Sequence, residues 1–295
     1  MSVIGVLPGG YWDAAGQLHR EFELGTLTGH EEELLAKTRL PQTAVLVTEV
    51  LSRCLRRLGQ LSPVPPEVIS QLLVVDRHYL LLQLRLVTFG ELVRGSLACP
   101  WADCGERVSI DFSIVDIPVE EPPHRAPTHS MTLPASWTGR PEAVEVAFRL
   151  PNGGDQEELS GLADINEAEA LTLLLSRCIQ RIGSDGPPDR DEVAALPGPA
   201  RAGIEERMRH LAPKVELTME AKCAECGRLF AAPFDIHGFF FGELRTDHEL
   251  LYREVHYLAY HYHWSEQEIM AMTRSKRRTY IDVLADAIEV LNNGA

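Results

Sequence analysis

"AVLVTEVLSRCLRRLG" at residues 44–59 and "AEALTLLLSRCIQRIG" at 168–183 read as one segment written twice. Eight of the 16 positions are identical, and most of the others exchange one apolar residue for another. The same offset of 124 residues carries Cys54 onto Cys178 and Cys99 onto Cys223. It also sets "GHEEEL" (29–34) over "GGDQEE" (153–158), and "ELVRGSLAC" (91–99) over "VELTMEAKC" (215–223). Chance likeness over a single helix is common, but one register held across three segments is not. The chain therefore reads as a tandem duplication.

The repeat can be read once and checked twice. Each copy opens on strand-like alternation, "QLHREFEL" (17–24) and "VEVAFRL" (144–150). In the first copy "DAAG" (13–16) would turn a hairpin into that strand. An acidic segment follows, suited to the first turn of a helix. The helix bearing "LSRC" has apolar residues at spacings of three and four, and its expected end is Gly59 in one copy and Gly183 in the other. A proline-rich break, "SPVPPE" (62–67) or "GPPDRDE" (186–192), precedes another helix. Last come a strand into a cysteine pair and a strand out of it.

Those pairs are Cys99 with Cys104, and Cys223 with Cys226, each followed by a glycine, Gly105 or Gly227. Two thiolates are half of a tetrahedral zinc shell, and the spacings of four and two residues both suit such a site. Cys99, Cys104, Cys223 and Cys226 are thus expected to surround one structural zinc per chain, tying the copies together. The alternatives are reduced thiols, a local disulfide in each pair, or a redox dithiol at Cys223 and Cys226. The redox case fits poorly, because "GRLFAAPFDI" (227–236) reads as strand where such a pair begins a helix. A catalytic zinc fits worse, since four thiolates leave no place for water. Cys54 and Cys178 sit alone in apolar helical patterns and read as buried structural thiols.

The expected fold is α+β: two strand-helix-helix-strand repeats with cysteine knuckles, plus a C-terminal helical segment. Residues 1–116 form the first repeat, 117–139 a proline-rich extended linker, 140–242 the second repeat, and 243–295 the helical segment. Within the last, Ser265 and Glu268 make a capping box for "EQEIMAM" (266–272), and "RRTYIDVLADAIEVL" (277–291) a final helix.

Composition narrows the function. At 45% hydrophobic and 24% charged, the chain is typical of a soluble globular protein. No apolar run reaches the ~20 residues that span a membrane, and no basic leader or apolar core signals secretion. A net charge of −15 argues against gripping phosphates, so nucleic acid is not an expected partner. "RSKRR" (274–278) is the one basic cluster, read as solvated charges on a late helix. Phosphate-loop and "GxSxG" spacings are missing. His248, His256, His261 and His263 lack an acid at metalloprotease spacing and read as packing and polar-edge residues. No enzyme is expected.

"GGYWDAAGQLHREFELGTLTGHEEELLA" (9–36) resembles the opening of the baseplate hub and hub-assembly proteins of T-even-type contractile phage tails. Relatives of these occur in contractile injection systems. The matching positions are Gly10, Tyr11, Gly16, His19, Arg20, Leu27, Thr28, Gly29 and Glu31 to Glu33. The resemblance continues through the cysteine knuckle with "VSIDFSIVDIP" (108–118), and through "REVHYLAYHYHWSEQEIMAMTRSKRRTYIDVL" (253–284). One departure is the four-residue gap between Cys99 and Cys104, where two is usual. The resemblance implies a non-enzymatic hub component or assembly helper whose partners are other baseplate, hub and spike proteins. It implies work in the bacterial cytoplasm during assembly, the chain either staying in the finished particle or leaving it. Two readings from other classes stand beside it: a zinc-ribbon nucleic-acid binder and a thiol-redox enzyme.

Overall fold

A computed structural model describes residues 2–37, 43–139, 141–162, 165–184, 186–246 and 248–293. The alternating segment at 17–24 is a true strand, in an antiparallel sheet of order β1-β2-β3. β1 (Ser2–Trp12) and β2 (Leu18–Gly25) form the expected hairpin. Asp13 Oδ1 accepts the Ala15 and Gln17 amides at 2.9 and 2.8 Å, and Gly16 supplies the left-handed turn residue at φ +78°. The acidic segment is α1 (Gly29–Lys37), and α2 (Thr43–Cys54) follows. Leu46, Val47, Val50 and Leu51 of α2 are buried in one core with Leu7, Phe22 and Leu24 of the sheet. That spacing makes one apolar stripe, and each side chain so buried contributes roughly 1.5–3 kcal/mol.

The helix stops five residues before Gly59. Leu55–Leu58 form β3, pairing with β2. Two buried leucines three positions apart, Leu55 and Leu58, could serve helix or strand; pairing prevails because it satisfies the free edge of β2. Gly59 therefore ends a strand rather than a helix, with φ +55° and its amide on the Glu21 carbonyl at 2.7 Å. A Cβ there would lie 2.4 Å from His19 Nδ1.

α3 (Pro66–Gln71) and α4 (Val74–Phe89) come next, then β4 (Leu92–Ala98), β5 (Arg107–Ser113) and the short β6 (Val119–Glu120). Buried Asp76 of α4 accepts the amides of Gly9 and Gly10, both at 2.8 Å, pinning β1 to the helix. Burial pushes its carboxyl up to about 6 against the pull of those two amides. Buried Arg85 donates to the carbonyls of Gly90 (2.5 Å) and Leu92 (2.9 Å), beyond the C-terminal end of α4.

The second sheet has the order β7-β8-β9. β7 (His129–Leu133) and α5 (Ala135–Thr138) lie within the stretch read as an extended linker, and β6 pairs with β10 (Lys214–Val215). "HSMTL" buries its two ends, His129 and Leu133, and is too short for its alternation to stand out in the sequence. β8 (Val144–Phe148), α6 (Gly153–Glu158), α7 (Glu167–Cys178) and β9 (Ile179–Ile182) follow. Gly183 again comes after the strand, at φ +64°, with its amide on the Glu145 carbonyl at 2.7 Å. α8 (Arg190–Ala194), α9 (Gly198–Leu211), β11 (Thr218–Lys222) and β12 (Leu229–Pro233) complete this part.

The remaining helices are α10 (Ile236–Thr246), α11 (His248–Tyr262), α12 (Glu266–Met270) and α13 (Arg274–Asn293). The Ser265–Glu268 capping box is present at the start of α12. Phe240 and Phe241 of α10 join the first core, whereas Leu251, Leu258, Ile269 and Met270 make a core of their own. The fold is mixed helix and strand, as expected for α+β. No helix among the described residues is long and apolar enough to cross a membrane.

Candidate metal centre

Two hairpins, β4–β5 and β11–β12, point their tips at each other and carry all four paired cysteines. In the first, the Cys99 amide reaches the Glu106 carbonyl at 2.8 Å, and the amides of Cys104 and Gly105 both reach the Trp101 carbonyl. In the second, the Cys223 amide bonds the Arg228 carbonyl at 3.0 Å, and the Gly227 amide returns to the Cys223 carbonyl at 2.9 Å. Both knuckles close on left-handed glycines, Gly105 at φ +66° and Gly227 at φ +72°. A side chain would strain that backbone, which explains a glycine after each pair.

The four sulfurs lie within 4.8 Å of one another. Cys99 faces Cys226 at 3.8 Å and Cys104 faces Cys223 at 3.7 Å, so each short edge joins one hairpin to the other. Zinc at about 2.3 Å from four tetrahedral sulfurs would set every edge near 3.8 Å. A disulfide needs about 2.05 Å, and all six cysteines are free. Cys99 and Cys223 are buried beside Val108, with Ile110 and Phe230 closing a small apolar shell. The donor set, spacing and shell fit a closed structural zinc. Among the described residues, no other cluster of three or more potential ligands occurs.

The thiols are electrostatically unequal. Backbone amides, that of Cys226 foremost, pull the Cys223 thiol down to about 7. The Glu106 amide pulls Cys104 the same way, but burial and the three neighbouring thiols push it up to about 12. A cation is what allows four such sulfurs to be thiolates together.

A family model of the T4 bacteriophage base plate protein matches residues 17–241, well over half of the chain. The chain belongs to that family. Residues 244–295 match a second model, that of a family of unknown function. No curated protein and no solved structure matches the chain. The base plate match takes in both hairpins, while the second model covers α11 to α13.

The four-residue gap has a local use. Trp101 and Asp103, both inside it, meet Arg228 of the opposite hairpin. Arg228 holds the Asp103 carboxylate with both terminal nitrogens, Nη1 at 2.8 Å, and its guanidinium lies 5.2 Å from the Trp101 ring centre. The one sequence hint relating residues 103 and 228 is that opposite charges stand beside the two knuckles.

His256, His261 and His263 are exposed and make polar-edge and ring contacts rather than a site. His256 contacts the Tyr260 ring and His261 the Tyr257 ring, whereas the side chain of His248 lies outside the described residues. His263 ends α11 at φ +57°. Cys54 and Cys178 are buried, and burial pushes both thiols up to about 12. The solvated reading of "RSKRR" holds for the exposed Lys276 and Arg278 but is corrected for the other two: Arg277 is 0% exposed and Arg274 8%. Arg277 is enclosed by carboxylates from other helices, which a linear charge count cannot reveal.

Proposed function

We propose that this base plate family member is a non-enzymatic hub component or hub-assembly chaperone of a contractile tail or phage-tail-like injection system. Family membership over residues 17–241 carries the reading. Its partners in this reading are other baseplate, hub and spike proteins, met in the bacterial cytoplasm during assembly. A structural zinc at Cys99, Cys104, Cys223 and Cys226 clamps the two hairpins. The sulfur edges of 3.7 and 3.8 Å support that assignment.

The four parts proposed are residues 1–116, 117–139, 140–242 and 243–295, the first and third related by tandem duplication. Matching bounds support the duplication. α2 and β3 end at Cys54 and Leu58, while α7 and β9 end at Cys178 and Ile182, each 124 residues on. Cap residues agree too: Thr28 bonds Glu31 as Asn152 bonds Asp155.

Zinc content per chain, measured beside Cys99→Ser and Cys223→Ser variants, tests the clamp. One zinc, lost in either variant, is the expected result; two zincs or none would overturn a shared site. Co-purification with the hub and spike proteins encoded by the same tail system tests the role. Recovery with sheath proteins alone would refute a hub position.

A further inference from the structure

Three turns in the chain are built alike, and two of them hold a partner segment. In the turn between α3 and α4, the Leu72 carbonyl accepts the Gly153 amide at 3.0 Å. The Val74 amide reaches the Pro151 carbonyl at 3.2 Å, so Leu73 and Asn152 form a bridge. The fourth residue of α4, Arg77, is fully buried: it donates to the Ala44 carbonyl at 2.6 Å and faces Glu157 at 3.5 Å. Thr48 of α2 donates to the same Glu157 oxygen. The turn between α12 and α13 repeats this. The Met272 carbonyl accepts the Gly29 amide at 3.2 Å, Thr273 bridges Thr28, and buried Arg277, fourth in α13, pairs with Glu32.

The inserted segments are also alike. Each is a strand end, a capping Thr or Asn, a glycine, and carboxylates within the next turn of helix: Thr28–Gly29 leading α1, and Asn152–Gly153 leading α6. Glycine is required at Gly153, where a Cβ would lie 1.6 Å from Arg77 Nη1.

The third turn, Leu196–Pro197–Gly198 between α8 and α9, lies 124 residues after the first. The Leu196 carbonyl and Gly198 amide take the places of those of Leu72 and Val74, and proline in the middle removes neither. Arg201 is again the fourth residue of its helix, and Thr172 of α7 stands where Thr48 does. Here no inserted carboxylate separates the two: Arg201 Nη1 meets Thr172 Oγ1 directly at 3.3 Å. Pro197 and Gly198 are exposed, and among the described residues no bridge falls on this turn.

We propose that the α8–α9 turn is a third docking socket, and that its occupant is a glycine-led acidic helix start supplied by a different protein. Its carboxylate would sit between Arg201 and Thr172 as Glu157 sits between Arg77 and Thr48. A second copy of this chain is a poor donor, because both of its own such segments are held internally by buried arginines. The inference rests on the repeat equivalence proposed above and on neither the zinc nor the hub placement, so it can fail while those stand.

The test uses the full chain and a fluorescein-labelled peptide of residues 149–162, "RLPNGGDQEELSGL", read by anisotropy and by amide exchange over 194–202. Saturable binding and new protection of that turn are expected. Arg201→Glu should weaken binding by about tenfold or more, since it reverses the charge facing a docked carboxylate. A peptide carrying Gly153→Val should not bind. Arg201→Gln replaces the glutamate variant if that one fails to fold. Absence of saturable binding, or binding indifferent to Arg201, overturns the socket. Arg201-dependent self-association of the full chain, seen by sedimentation without peptide, would overturn the choice of occupant.

Discussion

Arg277 Nη2 lies 2.8 Å from Glu32 Oε2 across 245 residues of sequence, with both side chains buried. Arg277 Nε reaches Glu254 at 2.9 Å and Nη1 the Met272 carbonyl at 2.9 Å. One guanidinium thus joins α1, α11 and the α12–α13 turn. Burial pushes the Glu32 carboxyl up while Arg277 pulls it down, so the charged pair is under tension between desolvation and attraction.

Arg277→Ala should destabilise the chain by about 3–5 kcal/mol, because it leaves buried carboxylates without their cation. Denaturant melts would give the magnitude. Amide exchange should show the loss concentrated in α1 and α11 to α13; uniform loss would contradict the keystone role.

Gly153→Val should cost about 1–3 kcal/mol or more, as overpacking against a buried guanidinium does. The mirror change at an open turn, Gly186→Val, has no neighbour within 4 Å and should be nearly neutral. Paired thermal melts compare the two directly.

Asp155 and Asp76 should shape the pH profile in opposite senses. Burial would raise Asp155, but the bonds from Arg149, the Asn152 amide and Arg177 outweigh it and hold its carboxyl below 3.8. That stability is present above 3.8 and lost as pH falls through the lower folded value. Asp76 is raised from 3.8 to about 6, so its contribution is full below 3.8 and lost as pH rises through 6. Asp155→Asn should flatten the acid limb of stability, and Asp76→Asn should flatten the decline between pH 4 and 6. Urea midpoints across pH 3–8 separate the two effects.

Zinc removal by a chelator should release residues 92–113 and 218–233 to amide exchange before either three-stranded sheet. The knuckle shell is small and apart from the main cores, so the proposed zinc would supply much of its stability. Simultaneous loss of both sheets would show the clamp to be global.

Asp103→Ala should leave one zinc per chain and cost less than about 1 kcal/mol, since its pair with Arg228 is solvent-exposed. Loss of the metal in this variant would mean that the pair sets the hairpin geometry.

Much of the architecture was legible in the chain. Period-two and period-three-to-four patterns gave β2, β8, α2 and α7, and glycines after the cysteine pairs gave the knuckles, because these depend on residues close in sequence. The 124-residue offset aligns Cys99 with Cys223, whereas the facing pairs, Cys99 with Cys226 and Cys104 with Cys223, arise only in the fold. Strands β3 and β9 escaped, since "LRRL" and "IQRI" fit a continuing helix until a neighbouring strand edge competes for them. β7 escaped because five residues are too few for a period to register.

The sequence by itself determined the local elements, the 124-residue offset behind the proposed repeat, and the residue types of a four-cysteine cluster. Only the tertiary structure decided which turns receive which helix starts, why Arg77 and Arg277 are buried, and why Asp103 meets Arg228. Those choices are made by contacts between residues tens to hundreds of positions apart. A buried charge or a close glycine has no local signature; its cost and its partner exist only once the chain has closed around it.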